Sequence, residues 1–170
     1  MSGWAPPQGG GGSGTSGVTV LGYVHLQHQE LAGVDGGAMV QNVWSTRTLN
    51  TKVTDTLGVT LAANQVTLPA GKYRIDVFTS GQGLGHNILR FYDATGAAEL
   101  ALGITHFMGA SNSRSNMRGE FTLTVESDVE LQHLMANAAA TPNMGKSQAL
   151  YAALAPTAIY ADVMIFKLAD

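Results

Sequence analysis

The sequence predicts an all-β domain, a two-sheet antiparallel sandwich or jelly roll. Three observations carry this. Apolar side chains recur with period two, the apolar runs are short and bounded by Gly, Pro, Asn or Ser, and no long segment holds a 3.6-residue period. Many short strands joined by turn chemistry bury their apolar faces by stacking two sheets. The 170 residues, 45% of them hydrophobic, suffice for one domain with a real core.

Residues 1–17 read as a tail. Gly9 to Gly12 and Ser13-Gly-Thr-Ser-Gly17 have the composition of a flexible linker. Ahead of them, Trp4 stands beside Pro6 and Pro7, a large aromatic next to a stiff diproline. Such a peptide suits docking: Trp4 anchors, the prolines lower the ordering cost, and the glycines give reach. The same composition also serves a plain tail.

The folded domain is expected over residues 18–170. From Val18, apolar residues alternate through Val20, Val24 and Leu26. Further strands are expected over Met39 to Asn50, Thr51 to Val53, Gln65 to Leu68, Lys72 to Thr79 and Asn87 to Asp93. Others follow at Glu99 to Thr105, Met117 to Glu126, Val129 to Ala136 and Thr157 to Leu168. Gln148 to Leu154 permits a short helix. Pro69-Ala-Gly71 marks a tight turn before the strand in which Tyr73, Ile75 and Val77 alternate with Lys72, Arg74 and Asp76.

The last strand is apolar on both faces. Ile159, Ala161, Val163 and Ile165 share one, and Tyr160, Met164 and Phe166 share the other, interrupted by Asp162. One face of a sandwich strand meets the core, so the other needs a partner. Leu21 and Tyr23 repeat the pattern weakly on the first strand. Charged residues are only 12%, well below the roughly 25% of a typical domain. Both observations predict a homo-oligomer whose interface includes Leu21, Tyr23, Tyr160, Met164 and Phe166.

If successive strands run antiparallel, the turns at 69–71, 94–97 and 127–128 lie at one end. Ser80 to His86, Phe107 to Asn116 and Asn137 to Pro156 are then long loops at the other. This expectation gathers the long loops at an apex, opposite a base of tight turns. Gln82, His86, Asn112, Arg114, Asn116, Asn143 and Lys146 are the candidate apical contacts, polar side chains suited to adaptable hydrogen bonding, including to glycans.

Several function classes lose support. The net charge is −3 with no basic block, which disfavours nucleic acid. There is no cysteine, hence no disulfide or thiolate chemistry. No apolar run approaches the roughly 20 residues of a membrane span, and the N-terminus lacks a signal-peptide pattern. Ala140-Thr-Pro-Asn-Met-Gly-Lys-Ser147 matches a relaxed phosphate loop, but the chain lacks the strand–helix alternation that such a loop requires. Gly81-Gln-Gly-Leu-Gly85 has no following helix and fails as a dinucleotide fingerprint. His25 and His28, three apart, face opposite sides of a strand, and no metal or cofactor is expected. Neither a Ser–His–acid set nor a carboxylate pair is legible, so no enzyme is expected.

The order of Trp44-Ser-Thr-Arg47, Leu49-Asn50-Thr51, Asn64-Gln65 and Leu68-Pro-Ala-Gly-Lys-Tyr-Arg74 resembles the C1q/TNF-like jelly-roll domain of bacteriophage virion proteins. Arg90-Phe-Tyr-Asp93, Phe121-Thr-Leu-Thr124 and Leu131-Gln-His133 continue the resemblance, which spans about Val18 to Leu168. It implies a trimer acting as a binding or structural module, with no shared catalytic residues to carry over. With only a short glycine tail before the domain, a capsid decoration protein or short head fibre is expected, docked to a capsid or other virion protein through its tail. The alternative is the receptor- or glycan-binding tip of a tail fibre. In either case the expected location is the virion.

Overall fold

A computed structural model describes residues 17–137, 143–147 and 155–169. Trp4, Pro6, Pro7 and the possible helix at 148–154 lie outside the described residues. Among the described residues, twelve strands follow in chain order: β1 (Val20–Leu31), β2 (Ser45–Thr46), β3 (Thr51–Asp55), β4 (Thr60–Ala62), β5 (Gln65–Leu68), β6 (Gly71–Gln82), β7 (Gly85–Asp93), β8 (Ala98–Leu102), β9 (His106–Met108), β10 (Asn112–Leu123), β11 (Ser127–Met135) and β12 (Thr157–Leu168). One sheet has the order β10-β6-β12-β1-β3. The other has the order β4-β5-β11-β7-β8, with β2 also paired to β11 and β9 to β7. Every pairing is antiparallel.

The alternation read in the sequence decides which side of each strand is buried. On β6, Tyr73, Ile75 and Val77 are wholly buried; on β12, so are Val163 and Ile165; on β7 and β11, Leu89, Phe91, Val129 and Leu131 meet them. Phe121 stacks between the rings of Tyr73 and Phe91, with centroids 5.5 and 5.6 Å away. The Pro69-Ala-Gly turn carries the chain from one sheet into the other. Tyr73 closes it by donating its hydroxyl to Pro69 O at 2.7 Å.

The pairing fixes the two ends. Leu168 lies opposite Val20 and Lys72, and Ala169 N donates to Thr19 O, so the domain's N-terminal edge sits with the turns before β6 and after β10. At the far end, Leu31 pairs with Thr157, Asn112 with Gln82, and Met135 with Asn87. The residue 32–44 connection, the turns before β7 and β10, and the described residues 136–137, 143–147 and 155–156 therefore share one apex.

Three boundaries differ from the sequence reading. Gly81 to Gly85 is not a long loop: β6 runs to Gln82, and only Gly83 and Leu84 separate it from β7. Gly81 is an inward strand position, and a Cβ there would stand 2.6 Å from Leu84 Cδ1 and 2.7 Å from Met108 Sδ. Asn112 to Asn116 is likewise strand, paired residue by residue with β6, and its small polar side chains reflect a polar sheet surface. Met39 to Asn50 contributes only Ser45–Thr46 as strand, because Asn42 takes a left-handed turn conformation (φ 58°).

Candidate functional site

Two surfaces follow from this frame. The first is the solvent side of the five-stranded sheet. Antiparallel register sets rows of side chains across it: Tyr23, Phe166, Arg74 and Glu120; then His25, Met164, Asp76 and Arg118; then Gln27, Asp162, Phe78 and Asn116. Tyr23 and Phe166 have ring centroids 6.1 Å apart, and the Arg74 guanidinium lies 4.9 Å from the Phe166 centroid. Arg118 pairs with Asp76 at 3.1 Å. His25 Nε2 lies 2.7 Å from Asp162 Oδ1, and Gln27 Nε2 donates to Asp162 Oδ2 at 3.0 Å. Phe78 is 40% exposed at the centre of its row. The face thus combines aromatic and thioether surface with charges already paired, and suits burial better than isolated ions would.

Of the five interface candidates, Tyr23, Met164 and Phe166 lie half-buried on this face, and Leu21 is exposed at an irregularity of β1. Tyr160 is a correction. It is buried at the apical end, donates its hydroxyl to Val34 O at 2.7 Å, and packs its ring 5.4 Å from His28. The chain between β1 and β2 covers it, so its need for a partner is met within the protomer. Sequence reasoning placed Asp162 on this side of the last strand but missed His25 and Phe78 as members of the face. The signal was available only once the register of β1, β12 and β6 was known.

The second surface is the apex. A strap, residues 143–147, crosses it. Asn143 is wholly buried: its Oδ1 accepts from Met39 N and its Nδ2 donates to Met39 O. It is therefore a brace and not an apical contact, which corrects the sequence reading. Met144 N donates to Gly37 O, Lys146 N to Asn112 Oδ1 and Ser147 N to Asp35 Oδ1. These amides are spoken for, so the Gly-Lys-Ser segment offers them to no phosphate. Asn112 Nδ2 returns a bond to Lys146 O, bringing two predicted contacts together beside a groove of about 300 Å³ lined by Ser147, Thr157 and Ile159 among others. Gln82 faces Asn112 in register, and its amide donates to Ala110 O. Arg114 and Asn116 continue down the same side of β10, whereas His86 stands apart on β7 against the Phe107 ring.

Beneath the strap, Met39, Leu84, Met108, Met135 and Met144 form a second apolar cluster. Polar side chains lie buried between the sheets. Asn87 Nδ2 donates to Gly85 O and His106 O, so its Oδ1 accepts, from Ser115 Oγ at 2.5 Å and from His133 Nε2 at 2.9 Å. This serine, asparagine and histidine are sealed from solvent and do not form a triad open to substrate. Among the described residues, no cluster of three or more His, Asp or Glu could hold a metal.

Burial first, then the charges of Arg47 and His106, hold His133 neutral well below the ordinary 6.5; burial also lowers His28. In the unfolded chain the His133 imidazole takes its proton near 6.5. The unfolded state therefore binds more protons below that pH, and this part of the stability is complete above about 6.5 and lost progressively as pH falls. Urea midpoints are expected to drop from pH 7 towards pH 5, with a shallower drop in His133→Gln. Parallel profiles for the two proteins would refute the assignment.

No family model matches the chain, and no curated protein does. Among solved structures it is similar to murine APRIL, at 10% identity and a TM-score of 0.54, covering 86% of this chain and 98% of that one. It is also similar to the globular domain of the zebrafish complement 1qA protein, at 13% identity and a TM-score of 0.52, covering 86% and 96%. The PRD1 vertex protein P5 aligns at 12% identity and a TM-score of 0.49, covering 89% and 99%, a likeness too slight to bear on role. The first two likenesses and the two antiparallel sheets define the class of protein: an all-β jelly roll. In particular, the fold is the C1q/TNF-like one. Among the described residues, no helix is long and apolar enough to cross a membrane.

Proposed function

We propose that the chain is a bacteriophage virion structural protein: a trimeric capsid decoration protein or short head fibre, held to the particle by residues 1–17. Its partners are two further copies of itself and a capsid or other virion protein. It needs no cofactor and performs no catalytic step.

The observation that carries this reading is the division of labour between surfaces. The face bearing Tyr23, Met164 and Phe166 is apolar enough to be buried and has its charges pre-paired. The domain's N-terminal edge lies opposite the apex. A protein anchored at one end, joined sideways to its copies and open at the other meets those constraints. The sequence resemblance to virion proteins over Trp44 to His133 supports the same reading.

The alternative, a receptor- or glycan-binding tip of a tail fibre, is favoured by the groove beside Asn112 and Lys146. Protein composition of purified phage particles tests the structural role. The chain is expected there in a copy number divisible by three, and its absence from particles would sink the proposal.

A further inference from the structure

A titratable pair stands within the sheet face through which the copies are proposed to join. His25 Nε2 of β1 lies 2.7 Å from Asp162 Oδ1 of β12, and the two side chains are 21% and 39% exposed in the single protomer. So close to a carboxylate oxygen, Nε2 carries the hydrogen and donates it. The second proton of an imidazolium therefore goes to Nδ1. Gln27 Nε2 donates to the other carboxylate oxygen at 3.0 Å and holds the acid in place.

The charges around the pair are mostly matched already. On β3, whose Thr54 is the Cα partner of His25, Lys52 pairs with Asp55 at 2.9 Å, and the remaining Asp55 oxygen accepts from Leu57 N and Gly58 N. Further along β1, Glu30 turns to His28 at 3.2 Å. Across Met164, Asp76 of β6 pairs with Arg118 of β10 at 3.1 Å. In the row below, Arg74 lies over the Phe166 ring, and Glu120 pairs with Lys72 at 3.4 Å. Arg114 is exposed on β10, two strands from Asp162 with β6 between.

With His25 neutral, the pair carries one negative charge; with His25 protonated, it carries none. Water solvates either form in a single protomer. Contact between copies removes that water from three pairs at once. A buried net charge costs far more than a hydrogen-bonded ion pair whose charges cancel. The assembled face therefore holds the added proton more tightly than the free face does. Repulsion between copies of net charge −3 acts in the same direction.

We propose that the His25–Asp162 pair is a pH-sensitive switch on assembly, in which protonation of His25 tightens the contact between copies and loss of that proton loosens it. This rests on the reading that the copies join through this face. Because the assembled form binds more protons, association is strongest at the acid end and weakens as pH rises through the range of imidazole titration, about pH 5 to 8.

Sedimentation velocity of the full chain over a dilution series, at pH 5.5 and 8.0 and constant ionic strength, tests the switch. The trimer association constant is expected to be at least about tenfold higher at pH 5.5. Acidification weakens each folded protomer through His133, so association of chains with an unchanged far-ultraviolet spectrum is the readout, not a melting temperature. His25→Gln should stay near the wild-type pH 8.0 level at both pH values. Asp162→Asn should reverse the slope, because the added proton then leaves an unpaired cation in the contact. A pH-independent trimer, or the wild-type slope in either variant, would overturn the switch and leave the face in place. A single-chain mass at both pH values would remove the contact itself and overturn both.

Discussion

Met164→Glu is expected to give a folded monomer. Met164 lies mid-face on β12, with His25 of β1 and Asp76 of β6 as its Cα partners, and it is half-exposed in the single protomer. In one protomer the new carboxylate reaches water and lies near His25, so the fold should tolerate it within about 0.5 kcal/mol. Once three copies bury this face, three carboxylates lose water together at several kcal/mol each, beside the Asp76 and Asp162 already present. No pairing available on the face offsets that, because Arg118 is committed to Asp76 and Arg74 lies over Phe166. Light scattering should report one 17.7 kDa chain, with an unchanged far-ultraviolet spectrum. A variant that keeps the wild-type oligomer would show that the copies join elsewhere.

Removing residues 1–16 is expected to abolish attachment to phage particles while leaving the domain folded. Among the described residues, strand pairing begins at Val20 and Thr19 O accepts from Ala169 N, so the deletion leaves every described strand in place. Trp4→Ala alone should weaken attachment about 30- to 1000-fold, the usual range for a buried aromatic anchor. Pelleting of the protein with particles that lack it measures both. Full attachment of the shortened chain would move the docking surface onto the domain. If attachment survives while Lys146→Ala with Asn112→Ala eliminates adsorption to host cells, the tail-fibre alternative takes its place.

The architecture was legible because burial enforces alternation. Tyr73, Ile75 and Val77 had to face inward together, and the two-faced pattern of Met164 and Phe166 marked a sheet surface of unusual composition. What the sequence hid depends on register and on distant coverage. Tyr160 follows the same alternation as Met164, yet the chain around Val34 and Gly36 closes over it, and nothing local announces that cover. Gly81 looked like a loop residue because the reason for its small size appears only in the fold, where Leu84 of the following turn and Met108 of β9 press against it. Arg47 stood within the family-like signature, but its charge gave no hint that it spans the interior to Tyr160 O. Asn143 read as a loop contact because it is a polar side chain in a long connection; its amide instead pins residue 39.

The most direct measurement is the solution mass of the full chain and of residues 17–170, by light scattering at micromolar concentration. The account predicts three times 17.7 kDa for the full chain, and a trimer likewise for the shortened one, since the sheet face and not the tail joins the copies. A single-chain mass for both would contradict it, leaving the face of Tyr23, Met164 and Phe166 exposed and the virion reading without its assembly.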